Sequence, residues 1–194
     1  MGCIATRNKF LKDGEDKDVT SVITNKKKIV LAGLKGSGKT SILQRLKHNT
    51  FIQAVPEGSS MSIEQISIKD DLDFLIYDID HQNKKQQTCH LAEADAVIYV
   101  IDSTDIQNMW RVKEDLTRIS NEMRYSESVV LVLFNKFDLE DALDANTMIQ
   151  ETGVHSELDL DVFIQKCSAK SGQGLQEGLD KLINYFVRGQ KSGF

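Results

Sequence analysis

No apolar run in the 194-residue chain approaches the roughly 20 residues needed to cross a bilayer, and no secretory h-region follows its amino terminus. A spanning helix and export are therefore excluded, and a cytoplasmic chain is expected. Positive charge is also short: 24 Lys and Arg stand against 29 Asp and Glu, a net charge of −5. A nucleic-acid partner requires a basic surface to neutralise phosphates, so none is expected. Cysteine is scarce. Cys3, Cys89 and Cys167 are spread too widely for a zinc site and are too few for a disulfide framework, which leaves Cys89 and Cys167 as ordinary reduced thiols. His48, His90 and His155 show no partner spacing and read as surface or helix-end residues. What remains is enough for one domain: with 40 % apolar residues, the chain can bury a single core but is too short for two ordinary domains. That domain is expected over 26–190, between a partly flexible amino-terminal segment at 1–25 and a short tail at 191–194.

Strand-like and helix-like segments alternate. Lys28 to Ala32, Leu72 to Asp78, Ala96 to Asp102, Val129 to Phe134 and Asp161 to Cys167 are rich in Val, Ile and Phe and mostly apolar on both faces, which predicts buried parallel strands. Met109, Val112, Leu116 and Ile119 recur at three and four residues, as do Leu175, Leu179, Leu182 and Phe186, predicting amphipathic helices that cover the sheet. The more polar Met61 to Ile68 lies three residues before Leu72 and is expected to pair with it antiparallel as an edge hairpin. The fold class expected is α/β: a doubly wound, mostly parallel six-stranded sheet.

Two motifs stand on this framework. Gly33-Leu34-Lys35-Gly36-Ser37-Gly38-Lys39-Thr40 matches G-x-x-x-x-G-K-[ST], directly after the apolar run Ile29 to Ala32 and before the helix-like Ser41 to Lys47. Its glycines let consecutive N–H groups surround a β-phosphate, Lys39 reaches the β- and γ-phosphates, and the Thr40 hydroxyl coordinates Mg²⁺. Asn135-Lys136-Phe137-Asp138 follows the strand Val129 to Phe134. The Asp138 carboxylate suits guanine, accepting from N1–H and the exocyclic amine. Adenine offers no such donor pair, and a carboxylate left unpaired there would reject it. Asn135 is expected to bond the other edge of the base and Lys136 to cover the ring. The ligand implied is GTP or GDP with Mg²⁺.

GLKGSGKT, YDIDHQ at Tyr77 to Gln82, VIDSTD at Val100 to Asp105, NKFD, and CSAKSGQGLQEGLDKL from Cys167 to Leu182 resemble the Arf and Arf-like branch of Ras-type small GTPases, over roughly Lys28 to Gly189. The resemblance implies a P-loop small GTPase fold and a monomer. It implies that Asp78 holds Mg²⁺ through water, that Gln82 orients the attacking water, and that Ser168-Ala169-Lys170 supplies backbone to the guanine oxygen. Asp78 is also placed by its position at a strand's carboxyl end, where ligands of such sheets bind. Lys39 and Gln82 are the groups expected to act on the reacting phosphate, with Ser41 following in the phosphate-binding run.

Met1-Gly2-Cys3-Ile4-Ala5-Thr6 fits M-G-x-x-x-[ST], which makes Gly2 an N-myristoylation candidate and the adjacent Cys3 a palmitoylation candidate. Two lipids, or one lipid with Arg7, Lys9 and Lys12 near an anionic leaflet, would hold the chain peripherally on a membrane. Ile4, Phe10 and Leu11 are few, and Asp13-Gly14-Glu15-Asp16 interrupts any long amphipathic face; 13–25 reads as a linker.

The chain also departs from the family pattern. Where Arf proteins have two glycines before the glutamine, Asp80 and His81 stand here. His81 keeps the N–H that approaches a γ-phosphate but adds a side chain, while Asp80 adds a negative charge beside another one, so closure on GTP should suffer. The stretch Val55 to Met61 lacks the family's Mg²⁺-binding threonine; Ser59 or Ser60 is the substitute, and the sequence does not choose between them. Lys35 replaces a typically acidic residue. Asn83 to Cys89 lacks the aromatic and leucine residues used by Arf effectors, so effector, exchange factor and activating protein stay unassigned. Two readings stand open: a GTP/GDP switch with slow hydrolysis, and a non-hydrolysing nucleotide-bound scaffold that recruits a partner to membranes. An ATP-dependent P-loop kinase is disfavoured by NKFD at a strand end.

Overall fold

The structure, a computed structural model, describes residues 25–49, 61–67, 72–79, 83–124 and 128–191. Its elements run β1 (Asn25–Ala32), α1 (Lys39–His48), β2 (Met61–Ser67), β3 (Leu72–Ile79), α2 (Lys84–Leu91), β4 (Ala96–Asp102), α3 (Met109–Met123), β5 (Val129–Asn135), α4 (Ala145–Thr152), α5 (Val154–Glu157), β6 (Asp161–Lys166) and α6 (Leu175–Lys191). The six strands lie in the order β2-β3-β1-β4-β5-β6. Five are parallel, and β2 pairs antiparallel with β3, from Met61 opposite Ile79 to Ser67 opposite Asp73. The expected doubly wound sheet with its antiparallel edge is therefore present.

Alternation along each central strand divides the core into two layers. Ile29, Leu31, Phe74, Ile98 and Leu131 face α1 and α6, meeting Ile42, Leu43, Leu179, Leu182 and Phe186. Val30, Val97, Tyr99, Ile101, Val130 and Val132 face the opposite way, onto Leu91, Val112, Leu116, Ile119 and Met148. Both faces of β4 and β5 are covered, which is why their sequences read as unbroken apolar runs.

Several element boundaries differ from the sequence reading. β1 begins at Asn25 rather than Lys28, because Asn25 to Lys27 also pair with β3, opposite Leu72 to Phe74; Lys27 and Lys28 form ion pairs to Asp95 (3.1 Å) and Glu93 (2.8 Å). β6 stops at Lys166, and it is not a buried strand: all six of its residues are half-buried or exposed. It is the far edge of the sheet, with a neighbour on one side only. The sequence reading assigns no helix at α2, which lacks apolar periodicity, and none at α4. Both carry a local start signal: the side chains of Asn83 and Asp144 cap them, accepting from the N–H of Gln86 and of Asn146 and Thr147.

Strand order reverses at β1, which lies between β3 and β4. The carboxyl ends of β1, β3, β4, β5 and β6 share one edge, and that is where both motifs emerge.

Candidate functional site

The phosphate loop leaves β1 at Ala32 and closes into α1. Gly38 caps that helix in the left-handed region (φ 97), and a Cβ there would meet the Asn135 amide nitrogen at 2.2 Å, so no other residue fits. Gly36 is also left-handed (φ 82) but opens onto free space. α1 has no side-chain cap and no acid in its first turn, so the positive end of its dipole stays uncompensated from within the helix. The Ser37 hydroxyl is buried without a hydrogen-bond partner among the described residues. Lys39 folds back over the loop, its Nζ donating to the carbonyls of Gly33 (2.8 Å) and Leu34 (2.9 Å). Orphaned donors, a helix start and an ammonium converge here, an arrangement suited to phosphate. Lys35 is exposed and lines an adjoining cleft of about 420 Å³ with Lys84, Asp115 and Arg118. Ser41 follows, half-buried, in the first turn of α1.

Asp78 sits one residue before the end of β3, beside Leu31 of β1. Its Oδ2 accepts from the Thr40 hydroxyl at 3.0 Å. Two hard oxygen ligands thus meet at one point at the loop. No group of three or more His, Cys, Asp or Glu able to hold a metal occurs among the described residues. The pair fits Mg²⁺, which binds through one or two protein oxygens together with phosphates and water rather than in an all-protein cage.

Asn135, at the end of β5, is 1 % exposed and joins three segments. Its Nδ2 donates to the Ser37 carbonyl (2.8 Å), and its Oδ1 accepts from the Ala169 N–H (3.0 Å). One N–H of Nδ2 remains for a ligand. Lys136 is held at a positive φ of 63, rare for a side-chain-bearing residue, with Nζ 2.5 Å from Asp102 Oδ2. Asp102 is itself fixed by the N–H and hydroxyl of Thr104 at 3.0 and 2.8 Å. Asp138 is exposed and has no hydrogen bond among the described residues, so its carboxylate is available to accept. Beyond β6, Ser168 and Ala169 are buried and Lys170 is exposed. Cys167, just before them, is a neutral thiol: burial pushes it up to about 12.

The structure therefore brings together Gly33 to Ser41, Asp78, Asn135, Lys136, Asp138 and Ser168 to Lys170 on one sheet edge. Ser59, Asp80, His81, Gln82, Gly2 and Cys3 lie outside the described residues. Of the histidines, His48 and His155 are exposed, and His90 packs its ring on Tyr77 at 4.9 Å in the last turn of α2. Burial and the nearby Lys28 hold the His90 pKa below its ordinary value. Two side chains that support the site escaped the sequence reading. Asp102 was visible only as part of a motif. Arg45 of α1 gave no signal, because a helix-surface arginine looks like any other until its carbonyl partners are seen.

A doubly wound sheet with a glycine-rich loop after β1, a Thr–Asp oxygen pair and an exposed carboxylate after β5 defines a P-loop nucleotide-binding domain. The ADP-ribosylation factor family model matches residues 17–186, and the chain belongs to that family of small guanine-nucleotide-binding GTPases. Among solved structures it is similar to the Arl6 (BBS3) small GTPase from Trypanosoma brucei with bound nucleotide analogue GppNp. The two are 22 % identical with a TM-score of 0.75, over 84 % of this chain and 99 % of the other.

Proposed function

We propose that this chain is a membrane-anchored, Arf-like guanine-nucleotide switch whose GTP hydrolysis is slow or impaired. The nucleotide-binding part of this reading is supported by Asn135, whose one amide ties the phosphate loop at Ser37 to the base-side loop at Ala169. A single buried side chain thereby sets the distance between the two ends of a nucleotide. Gly36, Ser37, Gly38 and Lys39 hold the phosphates. Thr40 and Asp78 hold Mg²⁺, which supplies charge neutralisation on the phosphate oxygens when bound. Asp138 accepts from the guanine N1–H and amine, Lys136 covers the ring, and the backbone of the Ser168-Ala169-Lys170 loop faces the guanine oxygen.

Gln82 positions water, with Ser59 a candidate additional Mg²⁺ ligand. Asp80 and His81 oppose closure on the γ-phosphate, by added charge and by Cβ atoms where glycines serve the family. Gly2 and Cys3 carry the lipids that place a cytoplasmic monomer peripherally on a membrane. A second reading, a scaffold that never hydrolyses, is favoured by the contacts of Lys84 with Asp115 and of Gln87 with Arg118, which tie the helix after Gln82 to α3.

Single-turnover hydrolysis and GTP-analogue affinity of the native chain, Asp80→Gly, His81→Gly and the double variant test the proposal. The double variant is expected to hydrolyse GTP about tenfold or more faster and to bind the analogue more tightly. Equal rates and affinities would show that both side chains face solvent. The nucleotide released on denaturing the purified protein is expected to be GDP.

A further inference from the structure

Arg45 leaves the last turn of α1 and reaches across to the base-side loop. Its Nε donates to the Ala169 carbonyl at 3.0 Å, its NH2 to the Lys170 carbonyl, and its NH1 to the Asn49 carbonyl at 3.0 Å. Asn49 ends the helix in the left-handed region (φ 52), so the guanidinium also closes α1. The other N–H groups of the loop are engaged. Ser168 N–H donates to the Gln173 carbonyl (2.9 Å) and Gly172 N–H to the Ser168 carbonyl (2.8 Å). Ala169 N–H donates to Asn135 Oδ1 (3.0 Å) and Ser171 N–H to Ser168 Oγ (3.1 Å). Between 168 and 172, Lys170 N–H alone has no acceptor among the described residues.

A trans peptide is planar, and its C=O and N–H point in opposite directions. The Lys170 N–H shares a plane with the Ala169 carbonyl, which Arg45 holds. Fixing that carbonyl against α1 therefore turns the Lys170 N–H away from α1 and keeps it there. The second bond, to the Lys170 carbonyl, prevents the loop from rotating about Lys170.

We propose that Arg45 is a positioning residue for base recognition: through the Ala169 and Lys170 carbonyls it aims the Lys170 N–H at the 6-oxygen of guanine. The proposal rests on the guanine reading above. A lysine offers a point charge on a flexible stem and cannot span three carbonyls with fork geometry, so Arg45→Lys should restore only part of the effect.

The test measures Mg²⁺-dependent affinity for GDP, IDP and ADP in the full chain and in Arg45→Ala and Arg45→Lys. IDP keeps the 6-oxygen and lacks the 2-amine; ADP lacks the oxygen. Arg45→Ala is expected to weaken GDP and IDP together, by about tenfold, the scale of one charge-assisted contact, and to leave ADP unchanged. Arg45→Lys should fall between. If all three nucleotides weaken equally, Arg45 only supports the fold and the proposal is wrong. An unchanged GDP-to-ADP ratio also overturns it. A native chain that binds GDP and ADP alike would instead overturn the guanine reading, a failure seen before any variant is made. Should Arg45→Ala not fold, the same pattern at smaller size in Arg45→Lys supports the proposal, and its absence there refutes it.

Discussion

Lys39 illustrates how one residue's chemistry depends on its neighbours. With its ammonium already held by the carbonyls of Gly33 and Leu34, it is placed over the loop before any phosphate arrives, so little rotamer entropy is lost on binding. Lys39→Ala is expected to weaken GDP by about two orders of magnitude or more, since a buried charge contact with the phosphates is lost. Thr40→Asn removes the hydroxyl that meets Asp78, and its loss should fall on the metal-dependent part of the affinity. Isothermal titration with Mg²⁺ and with chelator separates the two. The native chain and Lys39→Ala should both lose affinity on chelation, whereas Thr40→Asn should respond weakly. Indifference of all three proteins to metal would mean that the Thr40–Asp78 pair is not the cation site.

At the scale of elements, one buried carboxylate holds a helix in place. Asp115 of α3 is 6 % exposed and accepts from Lys84, from Arg118 at 2.9 Å and from the hydroxyl of the fully buried Tyr99 at 3.1 Å. Arg118 also donates to Gln87 (2.9 Å), whose amide reaches the Ile79 carbonyl at 3.4 Å. The network links α3, the first turn of α2, β4 and the end of β3. Truncating it leaves two cations and a phenol without their partner, so Asp115→Ala should cost about 3 kcal/mol. Burial alone would raise the Asp115 pKa, but Lys84 and Arg118 outweigh it and hold the value below the ordinary one. With the folded value depressed, the ionised carboxylate stabilises the fold fully above its unfolded pKa of about 4, and that contribution fades as pH falls through the folded value. Urea unfolding of the native chain and Asp115→Asn should show a constant stability gap from pH 7 to 5 and a narrowing one below about pH 4. A gap that does not shrink at low pH would place the stabilisation outside Asp115 ionisation.

For the whole molecule, the proposed anchor would have to hold a chain of net charge −5 on an anionic membrane. A single myristoyl group binds only marginally, and the body's charge does not help. Gly2, Cys3 and the local Arg7, Lys9 and Lys12 must therefore act together if the anchor holds. Gly2→Ala is expected to move the protein to the soluble fraction, and Cys3→Ser to speed its exchange between membranes. Intact-protein mass spectrometry of cell-derived material checks the modification itself, and an unmodified amino terminus there would refute the anchor.

The phosphate loop, NKFD and the two-layer core were legible in the sequence because each depends on local spacing. A glycine at position 38, a lysine at 39 and unbroken apolar runs in β4 and β5 carry their meaning within a few residues. Asp78 and Thr40 could be named as site residues, but only the parallel pairing of β1 with β3 brings their oxygens to 3.0 Å. Asn135 could be read as a contact to the base; its link between Ser37 and Ala169 spans 98 positions on one side and 34 on the other. Arg45 and Asp115 were invisible for the same reason. A charged residue on a helix has no distinguishing neighbour pattern, and its role is set by which backbone carbonyl or buried phenol the packed sheet delivers to it. The sequence by itself determined the guanine-nucleotide class of the ligand, the strand count and the apolar runs of the central strands, because these follow from residue types at short range. The tertiary structure decided which side chains brace the site, because bracing depends on groups far apart in the chain that only strand order and helix packing bring together.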